Sequence, residues 1–359
     1  MKETYWKLYT ENEEGFEAML TACESAEKSI DLEQFIFVTD DIGKRFIEVC
    51  ARKASQGVKV RFIWDAAGSF TFFGSSIVED LKSKGIELIF FKTLLPNFFE
   101  IHNYKSWYFR NHRRTLVIDG VIAFTGSICV SDKMINWRDT LVSVKGPVVK
   151  DMQNAFERMW DRASRKKLAR IKKEEHSDHE FKYITNNPLP RNRRLYNHVV
   201  EAIRNAKKNI YITTPYFVPT RRLLRVLRLA AHRGVDIKII IPQSTDYPIV
   251  DICGRSFFAK MLQSGIKIYL YEGRMLHSKT MVIDDDWASV GTLNLDTISL
   301  LYNFEANLVT SNKNFTDELL NHFNNDLKSS VEITGQGWKD RYWIEKVAEF
   351  FIRLLRDFL

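Results

Sequence analysis

The chain contains the stretch HRRTLVIDGVIAFTGS at residues 112–127 and a second stretch, HSKTMVIDDDWASVGT, at residues 277–292. In each, a histidine is followed two residues later by a cation, seven residues later by an aspartate, and fourteen residues later by glycine and then a hydroxyl residue. A single histidine in such surroundings is usually a packed or surface residue. Because the same frame occurs twice, the pattern indicates a duplicated functional element.

The duplication extends beyond these two stretches. Residues 56–65, QGVKVRFIWD, correspond to residues 233–242, RGVDIKIIIP, and residues 84–91 correspond to residues 264–271. In each segment the glycine suits the end of a helix, and the β-branched run after it is typical of a buried strand. Strands that alternate with helical stretches predict an α/β fold of two similar lobes, each a mostly parallel β-sheet flanked by helices.

The same pattern predicts how the chain is divided. We expect a first lobe over residues 1–165, a charged linker over 166–194 and a second lobe over 195–359. The boundary is predicted by the polar stretch 162–194, which contains two prolines and lacks strand-like alternation. The C-terminal segment 343–359 has apolar residues at helical spacing, which predicts an amphipathic helix that packs on the core or docks on a membrane surface.

Charge and cysteine content restrict the partners and the setting. The chain of 359 residues has a formal net charge of +8, which favours anionic partners, either nucleic acid or acidic lipid. Its most basic run, RASRKKLARIKK at 162–173, is either a solvated linker helix or a strip that faces anionic headgroups. The four cysteines have neither zinc-like spacing nor disulfide density, which predicts a reducing, cytosolic setting. We expect no secretory signal and no spanning helix, because no apolar run approaches the roughly 18 residues that such a helix needs.

The repeated frame suits chemistry on a phosphodiester. Residues i and i+2 of a strand share a face, so each histidine and its cation can point at one phosphate. If the two strands converge, one neutral imidazole can attack phosphorus while the other, protonated, gives its proton to the leaving alcohol oxygen. Arg114 and Lys279 would stabilise charge on the non-bridging oxygens, and Ser127 and Thr292 would add hydroxyl donors. This scheme requires neither a metal ion nor a cofactor.

The two stretches resemble the two His-x-Lys-x4-Asp motifs of the phospholipase D superfamily. The second stretch fits that pattern fully, whereas the first departs from it at Arg114, which replaces lysine, and at Cys129, which stands where the second has Asn294. The resemblance extends over nearly the whole chain and is strongest to bacterial cardiolipin synthases without transmembrane segments. It implies one active site at the interface of two lobes.

The resemblance also implies roles for individual residues. A carboxylate nearly thirty residues after each histidine orients that imidazole, and Asp139 and Glu305 occupy these positions. The motif aspartates and glycines are expected to be structural. Independently of the resemblance, Tyr216 and Phe217 are expected to pack beneath the site. The implied set comprises catalytic His112, His277, Arg114, Lys279, Asp139 and Glu305, phosphate-binding Ser127, Thr292 and Asn294, and structural Asp119, Asp284, Gly126 and Gly291.

As a function, the resemblance implies a phosphatidyltransferase that makes cardiolipin and glycerol from two phosphatidylglycerols through a phosphohistidine, with the first-motif histidine attacking. Its partners would be phosphatidylglycerol and the cytoplasmic face of the bacterial cell membrane, which it would bind peripherally. One alternative is a hydrolase of phospholipid or nucleic acid. The positive net charge of the chain is compatible with a nuclease, but dimeric nucleases with a single motif are much shorter than this chain with two motifs. Another is a non-catalytic lipid-binding relative with a degraded first motif. The aromatic segment 96–111 is either core or a lipid-entry rim.

Overall fold

A computed structural model of the chain describes residues 3–72, 75–91, 109–164, 179–189, 192–339 and 352. Several predicted features lie wholly or mostly outside these residues. They are the aromatic segment up to residue 108, the basic run from residue 165 onward, and the C-terminal helix apart from residue 352.

The first lobe is built on a sheet of seven strands. These are β1 (Tyr5–Glu11), β2 (Ser29–Gln34), β3 (Lys59–Asp65), β4 (Ile86–Phe91), β5 (Thr115–Ile118), β6 (Ile122–Gly126) and β7 (Arg138–Lys145). Their order across the sheet is β1-β7-β6-β5-β2-β3-β4.

The second lobe repeats this plan with an added edge strand and a small two-stranded sheet. Its strands are β8 (Phe181–Asn186), β9 (Asn209–Thr213), β10 (Phe217–Val218), β11 (Asp236–Pro242), β12 (Lys267–Tyr271), β13 (Thr280–Ile283), β14 (Trp287–Gly291), β15 (Leu295–Asp296), β16 (Glu305–Thr310) and β17 (Ser330–Glu332). The large sheet has the order β17-β12-β11-β9-β13-β14-β16-β8, and β10 pairs with β15.

The α/β class and the two similar lobes agree with the prediction, but the expectation of mostly parallel sheets is wrong. Only β2-β3-β4 and β9-β11-β12 pair in parallel, and the other neighbours in both large sheets are antiparallel. The reason lies in the motifs themselves. Each motif forms a hairpin, β5–β6 or β13–β14, and strands joined by so short a turn must be antiparallel.

The boundary between the lobes also differs from the prediction. Strand β8 falls inside the range 166–194 assigned to the linker, yet it pairs along its length with β16. The sheet of the second lobe therefore begins at Phe181 rather than after residue 194.

Helices cover the sheets, and most of them follow a strand. They are α1 (Asn12–Glu24), α2 (Asp41–Ser55), α3 (Ser76–Ser83), α4 (Val148–Ala163), α5 (Arg194–Asn205), α6 (Arg221–His232), α7 (Pro248–Arg255), α8 (Phe258–Leu262), α9 (Thr297–Leu301), α10 (Lys313–Lys328) and α11 (Gly335–Lys339). Gly57 after α2 and Gly234 after α6 have φ values of 89° and 90°, which confirms the predicted helix ends. Within the described residues, no helix has both the length and the apolar character needed to span a bilayer.

The two lobes share a hydrophobic core in addition to their own. Apolar side chains of both sheets, many of them small or β-branched, meet and are buried in it. The cluster includes Val117, Ala123, Val142 and Val144 of the first sheet and Val282, Ala288, Val290, Ala306 and Leu308 of the second. This shared core fixes the motif hairpins of the two lobes against each other.

Candidate active site

The first motif histidine is held by the second lobe. The backbone N–H of His112 donates to the carbonyl of Phe304 at 2.9 Å, which places the imidazole beside the next residue, Glu305. Nδ1 of His112 lies 2.9 and 3.1 Å from the two carboxylate oxygens of Glu305. The hydroxyls of Thr292 and Ser299 donate to the same carboxylate at 2.5 and 2.6 Å. A fully buried carboxylate thus orients the His112 ring.

The second motif histidine is held by the first lobe in the same way. The backbone N–H of His277 donates to the carbonyl of Arg138 at 2.8 Å, and Nδ1 of His277 lies 2.8 Å from Oδ2 of the next residue, Asp139. The hydroxyl of Ser127 donates to Asp139. Arg138 is itself anchored across the interface, because its guanidinium donates twice to Asp326 at 2.8 Å.

The pairing of histidines with carboxylates is therefore crossed between the lobes. The expectation that each carboxylate orients the histidine of its own motif is wrong, because the residue before each carboxylate forms a parallel bridge to the residue before the histidine of the other lobe. Both imidazoles consequently depend on the interface. Neither lobe alone contains a complete histidine–carboxylate pair.

These contacts determine the tautomer of each ring. A neutral imidazole that faces a carboxylate with Nδ1 carries its proton there and leaves a lone pair on Nε2. At His112 a second contact agrees with this, since Nη2 of Arg114 lies 3.0 Å from Nε2 and a guanidinium can only donate. Nε2 of His112 is thus an unprotonated nitrogen in a buried site.

Burial also controls the protonation of the site. It lowers the pKa of His112 to about 4, although Glu305 opposes the shift. Burial, with Lys279 acting in the same direction, lowers the pKa of His277 to about 4 against the opposing effect of Asp139. Burial would raise the pKa of Asp139, but its interactions with His277 outweigh that effect and hold this pKa at about 2. Near neutral pH both imidazoles are neutral and Asp139 is ionised.

The two motif cations are buried and reach different partners. Lys279 donates from Nζ to the carbonyl of His277 at 2.7 Å. Burial lowers the pKa of this lysine to about 7; Asp139 opposes the shift and Arg114 contributes to it. Arg114 donates from Nη1 to the carbonyl of His112 at 3.2 Å and from Nε to Sγ of Cys129 at 2.8 Å. Arg114 and Cys129, the two residues at which the first motif departs from the family pattern, are therefore in direct contact.

Two of the predicted phosphate ligands have a different role. Ser127 and Thr292 are fully buried, and their hydroxyls donate to the carboxylates of Asp139 and Glu305. Their assignment as phosphate donors is wrong, because these hydroxyls are used to hold the carboxylates. Asn294 differs, since its buried side-chain oxygen has no hydrogen-bond partner among the described residues.

The motif aspartates and glycines support the backbone. Asp119 accepts hydrogen bonds from the backbone N–H groups of residues 27–29, and Asp284 accepts them from residues 207–209. A Cβ atom on Gly126 would lie 2.3 Å from the carbonyl oxygen of Thr140, and one on Gly291 would lie 2.4 Å from that of Ala306. These four residues hold the motif hairpins without facing the imidazoles.

Three aromatic rings lie near the imidazoles, and among them only Tyr216 is expected there from the sequence. The ring of Phe35 lies 4.8 Å from that of His112, and Trp137 and Tyr216 lie 5.2 and 6.4 Å from His277, measured between centroids. Ser299, which holds Glu305, also falls outside the repeated frame. Trp137 directly precedes Arg138, which binds the backbone of His277. Its position beside the His277 ring therefore follows only from the crossed pairing of the lobes.

Comparisons with known proteins agree on one family. The family described as cardiolipin synthase, PLD-like domain, matches residues 19–160 and 199–327. A cardiolipin synthase of Clostridium perfringens is 34% identical over 365 aligned residues, covering 97% of this chain and 75% of the relative. A probable cardiolipin synthase of Bacillus subtilis is 31% identical over 367, covering 98% and 72%.

A solved structure shares the fold. The crystal structure of a phosphatidylserine synthase from Haemophilus influenzae Rd KW20 superposes with a TM-score of 0.78 at 12% identity. The match covers 99% of this chain and 95% of that one. At this identity the likeness concerns the arrangement of two lobes alone.

Proposed function

The chain belongs to the cardiolipin synthase family of phospholipase D-like proteins, and on that premise we propose that it transfers phosphatidyl groups between alcohols. The reaction converts two phosphatidylglycerols into cardiolipin and glycerol. The observation that carries the proposal is the crossed pair of imidazoles, each neutral, buried and oriented by a carboxylate of the other lobe.

The first step forms a phosphohistidine. Nε2 of His112 attacks phosphorus, the bond from phosphorus to the headgroup glycerol oxygen breaks, and that oxygen takes a proton from Nε2 of His277. His277 is neutral in the empty site, but an anionic phosphodiester beside it favours the charged imidazolium and raises its pKa. The substrate thereby helps to protonate its own general acid.

The second step transfers the phosphatidyl group to the acceptor. A hydroxyl of a second phosphatidylglycerol gives its proton to Nε2 of His277, its oxygen attacks phosphorus, and the bond from phosphorus to Nε2 of His112 breaks. Arg114 and Lys279 stabilise the negative charge on the non-bridging oxygens in both steps. Glu305 and Asp139 hold the two rings in the tautomer with the proton on Nδ1, so Nε2 of His112 can attack once Arg114, which donates to it in the empty site, turns to the phosphate oxygens.

Both reacting imidazoles are largely buried. His112 is 8% exposed and His277 is 4% exposed, so the reacting nitrogens are largely screened from solvent. A phosphohistidine in such a site is protected from hydrolysis until an acceptor enters. The likeness to cardiolipin synthases over nearly the whole chain supports a transferase over a hydrolase of the same superfamily.

A direct assay separates these activities. Purified protein is incubated with labelled phosphatidylglycerol, with and without added glycerol, and the lipids are resolved. We expect cardiolipin and free glycerol, with less cardiolipin when glycerol is added, because glycerol reverses the reaction. Phosphatidic acid as the sole product would indicate a hydrolase instead, and no product would favour the non-catalytic relative.

We also propose that the protein binds the cytoplasmic face of the membrane peripherally, through anionic lipid. Helices α6 and α8 border a groove of about 470 Å³ on the second lobe, where basic side chains surround apolar ones. Each cation near an anionic surface contributes about 1 kcal/mol to binding. The lining residues are Arg221, Leu224, Arg225, Arg228, Leu229, His232, Phe257 and Lys260.

Vesicle binding tests this second proposal. The protein should sediment with vesicles that contain phosphatidylglycerol, bind neutral vesicles less, and be released by high salt. Replacing Arg221 and Arg225 with glutamate should weaken binding strongly. The matched control replaces Lys82 and Lys84 on the first lobe with glutamate, which makes the same charge change outside the groove. Equal loss in both double variants would mean that net charge rather than the groove governs binding.

A further inference from the structure

A polar cleft of about 260 Å³ opens where residues of both lobes meet, and its lining includes Trp137, a neighbour of His277. The ring of Trp137, from the first lobe, forms one side and lies 5.2 Å from the His277 ring. The other side is formed by the chain after β11 and by residues shortly before His277. The full lining is Trp137, Pro242, Gln243, Ser244, Thr245, Asp246, Tyr271, Gly273, Arg274 and Met275.

The charges around this polar cleft nearly cancel. Asp246 accepts a hydrogen bond from the hydroxyl of Tyr216 at 2.6 Å, and Nζ of Lys133 lies 4.0 Å from its other oxygen. Arg274 is paired with Glu11 through two hydrogen bonds of 2.6 Å. An anionic group would meet the carboxylate of Asp246, and a cationic group would meet the guanidinium of Arg274. The balance suits an uncharged group with several hydroxyls.

The two lobes differ at this point. The chain after β11 continues with Gln243, Ser244 and Thr245, whose side chains can donate and accept hydrogen bonds. The chain after the equivalent strand β3 continues with Ala66 and Ala67, which have no polar side-chain atoms. The polar lining is therefore specific to the lobe that supplies His277.

We propose that the polar cleft binds the glycerol headgroup of phosphatidylglycerol, both as it leaves the donor and as it enters on the acceptor. This rests on the proposed function, in which His277 protonates the leaving oxygen and then deprotonates the attacking one. By microscopic reversibility both oxygens occupy one position beside His277. The volume lies below the roughly 300 Å³ at which pockets for drug-sized ligands begin, so it fits a headgroup rather than a whole lipid.

Competition between acceptors tests the assignment. The protein receives phosphatidylglycerol with labelled glycerol, 1-propanol and ethanolamine at equal concentrations, and the phosphatidyl products are measured as ratios. Because all products derive from one phosphohistidine, the ratios do not depend on how fast it forms. We expect glycerol to be preferred over both competitors, since only a polyol uses several donors and acceptors of the polar cleft.

Two variants make the test specific. Asp246→Leu should lower the glycerol-to-propanol ratio about tenfold, as expected for a lost hydrogen bond to a charged group. Gln243→Leu alters an exposed side chain, should fold normally, and should lower the ratio in the same direction. The control is Glu272→Leu, an exposed charge removed nearby but outside the lining, which should leave the ratio unchanged.

The outcomes distinguish failure of the headgroup assignment from failure of the proposed transferase function. An unchanged ratio in both cleft variants, with product still formed, would overturn the headgroup assignment and leave the transferase intact. A wild-type preference for ethanolamine or propanol would overturn the polyol assignment in the same way. If wild-type protein forms no phosphatidyl product with any of the three, the proposed function itself fails.

Discussion

The two lobes place a histidine, a cation and a carboxylate on the same backbone plan, yet the first uses Arg114 beside Cys129 where the second uses Lys279 and Asn294. The histidines make equivalent contacts in both, since each Nδ1 meets a buried carboxylate of the other lobe. The cations make different contacts. Only Arg114, the cation of the first lobe, donates to Nε2 of the histidine in its own lobe. The comparison teaches that the two lobes share the geometry of the imidazole and its carboxylate, whereas the neighbouring cation differs in type and in the atoms that it contacts.

The largest effects should follow loss of either histidine, where the lobes are most alike. His112→Ala removes the nucleophile and should abolish phosphohistidine formation. His277→Ala removes the general acid and should lower kcat about 10²- to 10⁴-fold. The measurement is cardiolipin formation with a chelator present, together with mapping of the trapped phosphate.

Two results would change this assignment. Phosphate trapped on His277 would exchange the roles of the two histidines and preserve the scheme. Substantial activity in either alanine variant, or loss of wild-type activity on addition of the chelator, would contradict the metal-independent mechanism with two histidines.

The next largest effects concern the crossed carboxylates. Glu305→Gln and Asp139→Asn keep the shape of each side chain but weaken its hold on the imidazole, and each should lower activity on the order of 10²-fold. A phosphatidyl donor with a better leaving group distinguishes the two variants. With a p-nitrophenyl headgroup the leaving oxygen needs no proton, so Asp139→Asn, which impairs the acid His277, should regain rapid p-nitrophenol release. Glu305→Gln, which impairs the nucleophile His112, should remain slow.

The control for this experiment is His277→Ala, which should also release the first equivalent of p-nitrophenol rapidly, because formation of the phosphohistidine then needs no acid, whereas later turnovers still need His277 as the base. The opposite pattern, with Glu305→Gln restored by the activated donor and Asp139→Asn still slow, would mean that each carboxylate serves the histidine of its own lobe in solution.

Sequence predicted the repeat well because its signals are local. The segments beginning at Gly57 and Gly234 are each a helix end followed by a β-branched run, and each contains the predicted buried strand. The motif spacings likewise located the histidines and cations. Strand direction was missed, since a short hairpin turn and a longer connection leave similar patterns of apolar residues.

The crossed pairing could not be predicted from such patterns. His112 and Glu305 are separated by 193 positions and come together only because the lobes pack on a shared core. The resemblance identified Asp139 and Glu305 by their distance from a motif but did not reveal which ring each one faces. Ser127 and Thr292 were misassigned for the same reason, because the carboxylates that they hold are known only from the three-dimensional contacts.

A smaller effect should separate the two cations by pH. Burial lowers the pKa of Lys279 to about 7, so this lysine loses its charge in the free enzyme as pH rises through neutrality. Since a neutral amine stabilises the phosphate poorly, kcat/KM should fall by a further factor of about ten per pH unit above that pKa, in addition to the fall caused by deprotonation of the acid His277. Arginine stays charged throughout this range. Lys279→Arg should therefore move the fall in kcat/KM to higher pH.

The companion variant is Arg114→Lys, which should retain part of the activity and keep the fall near neutral pH. Deprotonation of the general acid His277, whose free-enzyme pKa is about 4, produces a separate fall that begins at lower pH and is present in both variants. An unchanged profile in Lys279→Arg would assign the fall to another group.

The smallest effect expected is the coupling between Arg114 and Cys129. The Nε–H of Arg114 donates to Sγ of Cys129, which helps to hold the guanidinium where Nη2 meets Nε2 of His112. Cys129→Asn places a larger amide in this contact, and Arg114→Lys removes the donor, so each should lower kcat/KM several-fold. The double variant restores the combination found in the second lobe and should lose less than the two single effects combined, with a coupling free energy of about 0.5–3 kcal/mol. Cys129→Ser, which keeps an acceptor at this position, should remain close to wild type. Strict additivity would mean that the two residues changed independently, and higher activity in Arg114→Lys than in wild type would mean that the first motif is impaired.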